Sequence, residues 1–267
     1  MIEPFQQPFM LRAFAAAILS GITLPLIGSF LVPKKLSLLG DASSHFTFAA
    51  LAVAALAGLG LFMLPYIIPV LAVYGILKTM RVLKLSGDQA LAIFLTLGAA
   101  TASVALSLGA RINLNAVLFG SLLLVQPEDL LASLVVALFV AGFITARFGS
   151  AVLYVVNEEL ARVRGVPTGL YELFFAVFAG LSIALGVKIA GVLLVTSLLV
   201  IPPTASSAIA TSMKKSLALA VAVGLSSLIA GTYASYYVGL APGALTVAIL
   251  LALLTAIAAM ARAGLRI

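Results

Sequence analysis

The stretch Asn157-Glu158-Glu159-Leu160-Ala161-Arg162-Val163-Arg164-Gly165-Val166-Pro167 is the one long polar interruption in a sequence that is otherwise almost continuously apolar. We call residues 157–167 the peg. Asn157 is a preferred N-cap residue, and Glu158 and Glu159 complement the positive end of a helix dipole. Glu158 and Arg162 form an i,i+4 pair in the favourable order. The pattern predicts a short capped helix outside the membrane.

The peg also has an apolar side. The apolar residues Leu160, Val163 and Val166 are spaced three positions apart and so are predicted to share one side of the helix. Gly165 and Pro167 are expected to end the helix. Such a two-faced helix suits a groove in a soluble partner. From the pattern alone, an ordinary surface helix between two membrane spans is the simpler interpretation.

Composition sets the class of protein. Of 267 residues, 64% are hydrophobic and 9% are charged, whereas soluble domains are roughly half apolar. The chain is therefore predicted to be an integral membrane protein. It has no cysteine, which excludes disulfides, thiolate metal sites and thiol nucleophiles. No glycine is followed directly by a lysine, so the Gly-Lys-Ser/Thr end of a phosphate loop is absent and no nucleotide site is expected.

Apolar stretches alternate with short loops. Most approach the ~20 residues that cross a bilayer as a helix, and they cover residues 10–32, 43–60, 62–77, 89–109, 129–147, 170–187, 189–205, 217–238 and 243–262. Only Gly58, Gly60 and Pro65 separate the second from the third, so we expect an all-α bundle of eight or nine spans. Leu114 to Val125 is too short to cross and is expected to be re-entrant or interfacial. No soluble domain fits, and residues 1–267 are predicted to form a single transmembrane domain.

Prolines and small residues predict how the spans pack. Pro25 indicates a kink in the first span and Pro202-Pro203 a break at the end of the seventh. Glycines such as Gly28 allow helices to approach closely. Lys188, between two apolar runs, is expected to extend along the protein to the outer surface. Glu128-Asp129 is expected to cap the fifth span.

Basic residues predict the orientation. If the peg faces the cytoplasm, twelve Lys and Arg residues share its side and three lie opposite, a strong bias for short loops. The twelve are Lys34, Lys35, Lys78, Arg81, Lys84, Arg147, Arg162, Arg164, Lys214, Lys215, Arg262 and Arg266, and the three are Arg12, Arg111 and Lys188. The net charge of +7 then reports orientation and no affinity for nucleic acid. With nine spans the N-terminus lies outside and the C-terminus inside.

A second polar constellation, Gly40-Asp41-Ala42-Ser43-Ser44-His45, opens the second apolar stretch. Asp41 and His45 are four residues apart, so on a helix they share one face. A carboxylate with an imidazole suits Zn²⁺, Mn²⁺ or Fe²⁺, and an ionisable pair at the edge of a span favours a functional site. The alternative is that Asp41 caps the helix and His45 is a neutral hydrogen-bond partner, since two ligands are too few for a divalent ion.

Several motifs follow one another in a fixed order. They are Gly40-Asp41-x-x-Ser44-His45, Leu118-Phe119-Gly120-Ser121-Leu122-Leu123-x-Val125-x-Pro127-Glu128-Asp129-Leu130, Glu158-Glu159-Leu160-Ala161 with Gly165-Val166, Lys188-x-x-Gly191-Val192-Leu193-Leu194 and Leu198-x-x-Ile201-Pro202. In this order the chain resembles, along nearly its whole length, the membrane permease subunit of the zinc/manganese/iron ABC importers, the ABC-3 family. Each motif is weak alone, but the ordered set is specific.

The resemblance implies a type II ABC importer-like fold with a homodimer of this subunit. It implies that the peg is a cytoplasmic coupling helix that docks into an ATPase subunit, and that Asp41 and His45 belong to the metal path. The docking residues implied are Glu158, Glu159, Leu160, Ala161, Arg162, Val163, Gly165 and Val166.

The same resemblance implies the partners and the setting. A cytoplasmic ABC ATPase would use the ATP, and an extracytoplasmic binding protein would deliver zinc, manganese or iron. The subunit would bind no cofactor, would not be an enzyme, and would cross the inner or plasma membrane of a prokaryote several times.

The chain departs from the family pattern near the metal pair. Similar permeases usually have a leucine where this chain has Ser43 and a Pro-Gly where it has Ala49-Ala50, which predicts a straighter helix after His45. Some relatives carry further histidines in later spans, whereas His45 is the only histidine here. Further ligands would be carboxylates, carbonyls, water or groups from a second copy.

Two other classes of transporter stay open. A permease for cobalamin or an iron chelate would have a similar coupling segment, but such permeases are usually longer and would not need Asp41 and His45. A channel or secondary transporter without an ATPase would be expected to use carboxylates inside the membrane for its coupling ions. Nearly all acidic residues here lie at span ends, which disfavours that class.

Overall fold

The structure is a computed structural model that describes residues 8–58, 63–112 and 125–264. The regular secondary structure of these residues is helical. In chain order they are α1 (Pro8–Leu31), α2 (Leu39–Ala57), α3 (Leu64–Leu83), α4 (Gly87–Ser107), α5 (Pro127–Ala146), α6 (Phe148–Val156), α7 (Glu158–Val163), α8 (Thr168–Ala190), α9 (Val192–Ile209), α10 (Met213–Val238) and α11 (Pro242–Arg262). Of the stretch expected to be re-entrant or interfacial, Leu114 to Val125, all but Val125 lies outside the described residues.

Nine helices in these ranges, α1 to α5 and α8 to α11, are long and apolar enough to cross a membrane. The predicted all-α bundle of eight or nine spans is thereby confirmed. The helix α6 was not predicted, because its apolar sequence continues the run of α5 and only Arg147 interrupts them. It buries Ala151, Tyr154 and Val155 beside the peg.

The bundle is built around α1 and α8. In α1, 78% of the residues in the membrane-spanning stretch are buried inside the protein, and in α8 the share is 72%. In α11 it is only 17%. The helix α1 packs against α5, α8, α9 and α10, while α8 packs mainly against α3. The remaining spans surround these two, α2 and α4 against each other and α11 against α9 and α10.

Ion pairs show which helix ends lie together. Lys34, after α1, and Arg81, near the end of α3, both contact Glu158 at the start of α7. We call this end of the bundle the peg side. At the other end, the far side, Asp129 at the start of α5 contacts Lys188 near the end of α8. In the described part of the chain, the basic residues predicted to share the side of the peg lie on the peg side, and Arg12, Arg111 and Lys188 lie on the far side. Arg266 lies outside the described residues.

The predicted break at Pro202-Pro203 is wrong, because α9 continues through both prolines to Ile209. Pro203 has no N–H for the carbonyl of Leu199, four residues before it. That carbonyl oxygen lies against Gly28 of α1, where a Cβ atom would overlap it. The glycine therefore lets α1 and α9 meet backbone to backbone at the point where the proline leaves a carbonyl without its helical donor.

Candidate coupling helix and metal pair

The peg folds as a helical turn that is closed at both ends. Asn157 has an extended backbone, and its Oδ1 accepts a hydrogen bond from the Leu160 N–H at 2.9 Å. Gly165 has φ +75°, and its N–H donates to the Arg162 carbonyl at 3.0 Å, while the following N–H donates to the Ala161 carbonyl at 2.9 Å. This pair of bonds is a Schellman motif, which favours glycine at the left-handed position. The predicted capped helix is confirmed.

The exposed apolar side chains of the peg are those of Leu160 and Val163, which are 41% and 84% exposed. Ala161 is fully buried and faces the bundle. Val166 was predicted on the same side as Leu160 and Val163, but it packs against the core of the bundle. The Schellman turn redirects the chain after Arg164, so the spacing of three no longer applies at Val166.

Glu158 is the centre of an ion-pair cluster. Its carboxylate oxygens lie 3.2 Å from Lys34 Nζ, 3.2 Å from an Arg81 guanidinium nitrogen and 3.3 Å from one of Arg162. The Arg162 contact is the predicted i,i+4 pair, whereas the other two come from different parts of the bundle. The first turn of the peg is thus bound both to the loop after α1 and to the end of α3.

The cluster extends into the bundle through Arg81, which also pairs with Glu172 of α8. The side chain of Glu172 is 6% exposed, so this carboxylate depends on its cation. On the other side of Glu158, Lys34 Nζ lies 3.6 Å from the ring centroid of Tyr154, a cation–π contact. A cavity of about 340 Å³ between the peg and the ends of the helices is lined by all five of these side chains.

Burial governs the protonation of two members of this cluster. It lowers the pKa of Lys34, and the attraction of Glu158 opposes this shift. It also raises the pKa of Tyr154, with the negative charges of Glu158 and Glu172 acting in the same direction. Tyr154 is therefore a neutral phenol that packs under the Lys34 ammonium.

Sequence patterns did not predict the partners of Glu158 outside the peg. Lys34 is 124 positions away and Arg81 is 77 positions away, so neither pair has a local pattern. The signal that was present is Glu172, a carboxylate inside the apolar run of α8, which as an ionisable group in a span needs a partner.

Asp41 and His45 lie half-buried on one face of α2, in its first two turns on the peg side. The helix is capped at Leu38 without a side-chain hydrogen bond, so Asp41 does not act as the N-cap. His45 packs against Gly98 of α4. The helix α2 continues past Ala49-Ala50 to Ala57.

The described residues contain no group of three or more His, Cys, Asp or Glu side chains close enough to hold a metal ion. Asp41 and His45 can therefore supply two ligands at most from this part of one copy. Divalent transition metals usually take four or more ligands. Water, backbone carbonyls or a second copy would have to complete the coordination of an ion at this pair.

The far side carries its own polar cluster. Lys188 Nζ lies 2.6 Å from Asp129 Oδ1 and 3.4 Å from the Tyr66 hydroxyl. The other carboxylate oxygen of Asp129 accepts a hydrogen bond from the Gln126 N–H at 3.2 Å, which confirms that Asp129 caps α5. Lys188 was expected to reach only for the outer surface, but it pairs with a carboxylate that is buried and needs a cation.

The sequence is similar to those of known membrane transport proteins. The ABC 3 transport family matches residues 6–262. The high-affinity zinc uptake system membrane protein ZnuB of Buchnera aphidicola subsp. Schizaphis graminum is 31% identical over 227 residues, covering 84% of this chain and 86% of that protein. The manganese transport system membrane protein MntC of Listeria monocytogenes is 26% identical over 243 residues, 90% of this chain and 86% of that protein.

A solved structure supports the same fold. PsaBC from Streptococcus pneumoniae in complex with Fab contains a chain that superposes with a TM-score of 0.82 at 24% identity, covering 96% of this chain and 93% of that chain. At this identity the likeness concerns the fold, while the match over residues 6–262 concerns the sequence itself. The two agree along nearly the whole length, and the chain belongs to the ABC 3 transport family.

Proposed function

We propose that this chain is the membrane subunit of an ATP-driven importer for a divalent transition metal ion, zinc, manganese or iron. It moves the ion by alternating access while a separate cytoplasmic ATPase hydrolyses ATP. The zinc and manganese transport names of its relatives support the class of cargo. The lack of any Gly-Lys dipeptide in the sequence supports a separate ATPase.

The observation that carries the proposal is the attachment of the peg. Its exposed apolar residues, Leu160 and Val163, are free to enter a groove of the ATPase. Its Glu158 is tied by ion pairs to the loop after α1 and to the end of α3. A displacement of the peg by the ATPase is therefore transmitted to at least two regions of the bundle, which is what coupling requires.

Asp41 and His45 are the ligands that this subunit offers to the ion. Both are half-buried, share a face of α2 and combine a carboxylate oxygen with an imidazole nitrogen. A pair of ligands holds an ion weakly, and a transported ion must leave its site again. A second copy of the chain in a homodimer can supply an equivalent pair.

The coupling role is tested by Leu160→Asp. A charge on an exposed apolar contact of the interface is expected to cost about 2 kcal/mol or more in docking, which is a loss of about thirtyfold or more in affinity for the ATPase. Metal uptake should fall accordingly while the subunit stays folded and membrane-inserted. ATPase activity of the assembled complex, metal uptake and co-purification of the ATPase are measured together.

The matched control is Leu108→Asp, which charges a 67% exposed leucine next to the end of α4 on the far side. It should leave the association with the ATPase unchanged. Normal coupled transport by Leu160→Asp, or equal loss of ATPase binding in both variants, would contradict the assignment of the peg.

The metal pair is tested with Asp41→Asn and His45→Ala. Each removes a ligand group, so uptake of labelled zinc and manganese should fall strongly while the complex still assembles. Asp88→Asn is the matched control, because Asp88 is an exposed acidic residue in the first turn of α4, as Asp41 is in the first turn of α2. Unchanged uptake in both ligand variants would remove the pair from the metal path.

A further inference from the structure

Several buried serine hydroxyls in the spans bond within their own helix, whereas the hydroxyls of Ser43, Ser133, Ser182 and Thr232 have no partner among the described residues. Ser29, Ser44 and Ser227 each donate to the carbonyl four residues earlier, at 2.8, 2.6 and 2.6 Å. Ser133 and Ser182 behave differently. Their side chains are about as deeply buried, with 6% and 5% of each residue exposed, but neither Oγ has a hydrogen-bond partner among the described residues. A buried hydroxyl without a partner is unfavourable and calls for an explanation.

These two hydroxyls line the same small cavity, between α1, α5 and α8. Four of its lining residues carry a hydroxyl group, Ser20, Thr23, Ser133 and Ser182, and the others are Leu24, Val136, Leu185 and Gly186. The volume is about 10 Å³, which corresponds to room for about one water molecule. Thr23 already donates to the Leu19 carbonyl at 2.7 Å, so its oxygen is available as an acceptor.

We propose that this cavity is a water site inside the membrane part of the bundle, in which one water molecule bonds to Ser133 and Ser182 and joins α1, α5 and α8. Water can donate and accept, and so satisfies two serine hydroxyls and the acceptor on Thr23 together. An ion is disfavoured as the occupant, because no lining residue is charged and neutral hydroxyls would have to replace its hydration.

The site lies near the polar cluster of the far side. Ser133 lies one helical turn from Asp129 on the same face of α5. Asp129 in turn binds Lys188, whose side chain is 52% exposed. The cavity therefore lies about one helical turn along α5 from the polar cluster of the far side.

The site is tested by X-ray radiolytic labelling of the full-length protein in detergent. Water bound inside a protein yields hydroxyl radicals that oxidise the side chains next to it. We expect labelling of Leu24, Val136 and Leu185 in the wild type. That labelling should be lost in the double variant Ser133→Ala, Ser182→Ala. It should also be lost in Ser182→Val, which removes a hydroxyl and fills the cavity and so provides a second test if the double variant does not fold.

Ser227→Ala is the matched control, because it removes a buried hydroxyl that already bonds to the Val223 carbonyl, and it should leave the labelling unchanged. Wild-type labelling at Leu24 no greater than at the fully buried Leu198, which is not among the lining residues, would overturn the proposal. Labelling that persists in Ser182→Val would overturn it as well. So would a high-resolution density map in which both serines donate to the carbonyls of their own helices.

Discussion

Arg81 joins the peg to the interior of the bundle. It contacts Glu158 of the peg and Glu172 of α8, and Glu172 is far more buried than Glu158. We predict that Arg81→Gln destabilises the protein by about 2–3 kcal/mol, because it leaves a buried carboxylate without its cation. This loss of stability is at or below the low end of the range for breaking a buried ion pair, because solvent screens the Arg81 side chain, which is 47% exposed.

The control for this prediction is Arg162→Gln. Arg162 forms an exposed i,i+4 pair with the same Glu158, so its loss should cost only about 0.5 kcal/mol. Thermal unfolding of both variants in one detergent measures the difference. Equal shifts in the two variants would mean that Glu172 does not depend on Arg81.

Among single residues, those whose structural role depends on neighbouring positions were predictable from the sequence. Asn157 and Gly165 act within a few positions of themselves, as an N-cap and a left-handed turn, and both were predictable. The partners of Lys188 and the partners of Glu158 outside the peg were not, because an ion pair across the bundle depends on how the spans pack. A sequence shows that a charge in a span needs a partner, but not which one it has.

At the scale of helices, the contact between α1 and α9 depends on Gly28. We predict that Gly28→Ala destabilises the bundle by about 1–3 kcal/mol, because the added methyl group meets the Leu199 carbonyl and the two backbones must separate. The measurement is the melting temperature of the purified protein, together with the fraction that elutes as folded protein in gel filtration.

Gly142→Ala serves as the control, since a Cβ atom at this position in α5 meets nothing within 4 Å. It should be neutral or slightly stabilising, because alanine favours a helix over glycine by about 1 kcal/mol. A melting temperature of Gly28→Ala equal to that of the wild type would show that α1 and α9 do not meet there.

Helix predictions failed for two physical reasons. The fifth apolar stretch was expected to end at residue 147, and the apolar residues 148–156 that follow it are too few to cross a membrane, so no helix was predicted there. The prolines of α9 were expected to end it, but the carbonyl of Leu199, which loses its helical donor to Pro203, is accommodated against Gly28 of α1. In a membrane bundle, neighbouring helices and hydroxyl side chains compensate for the missing N–H of a proline.

At the scale of the whole molecule, the apolar spans and the distribution of Lys and Arg were readable from the sequence because the bilayer imposes both. The two polar clusters are at opposite ends of the bundle, Glu158 with its cations on the peg side and Asp129 with Lys188 on the far side. The helices α3 and α8 contribute to both clusters. The helix α3 provides Arg81 on the peg side and Tyr66 on the far side, and α8 provides Glu172 on the peg side and Lys188 on the far side. We infer that these two helices carry movement of the peg across the membrane.

ATP-driven import of a metal ion can be measured as flux into proteoliposomes that contain this chain and its ATPase. The binding protein and labelled zinc or manganese are supplied outside, on the far side, and ATP is enclosed with the peg side. We predict that the metal accumulates above its external concentration only when ATP is enclosed, and that Leu160→Asp abolishes this accumulation. Metal that enters without ATP and stops at equal concentrations would contradict the account and identify a channel.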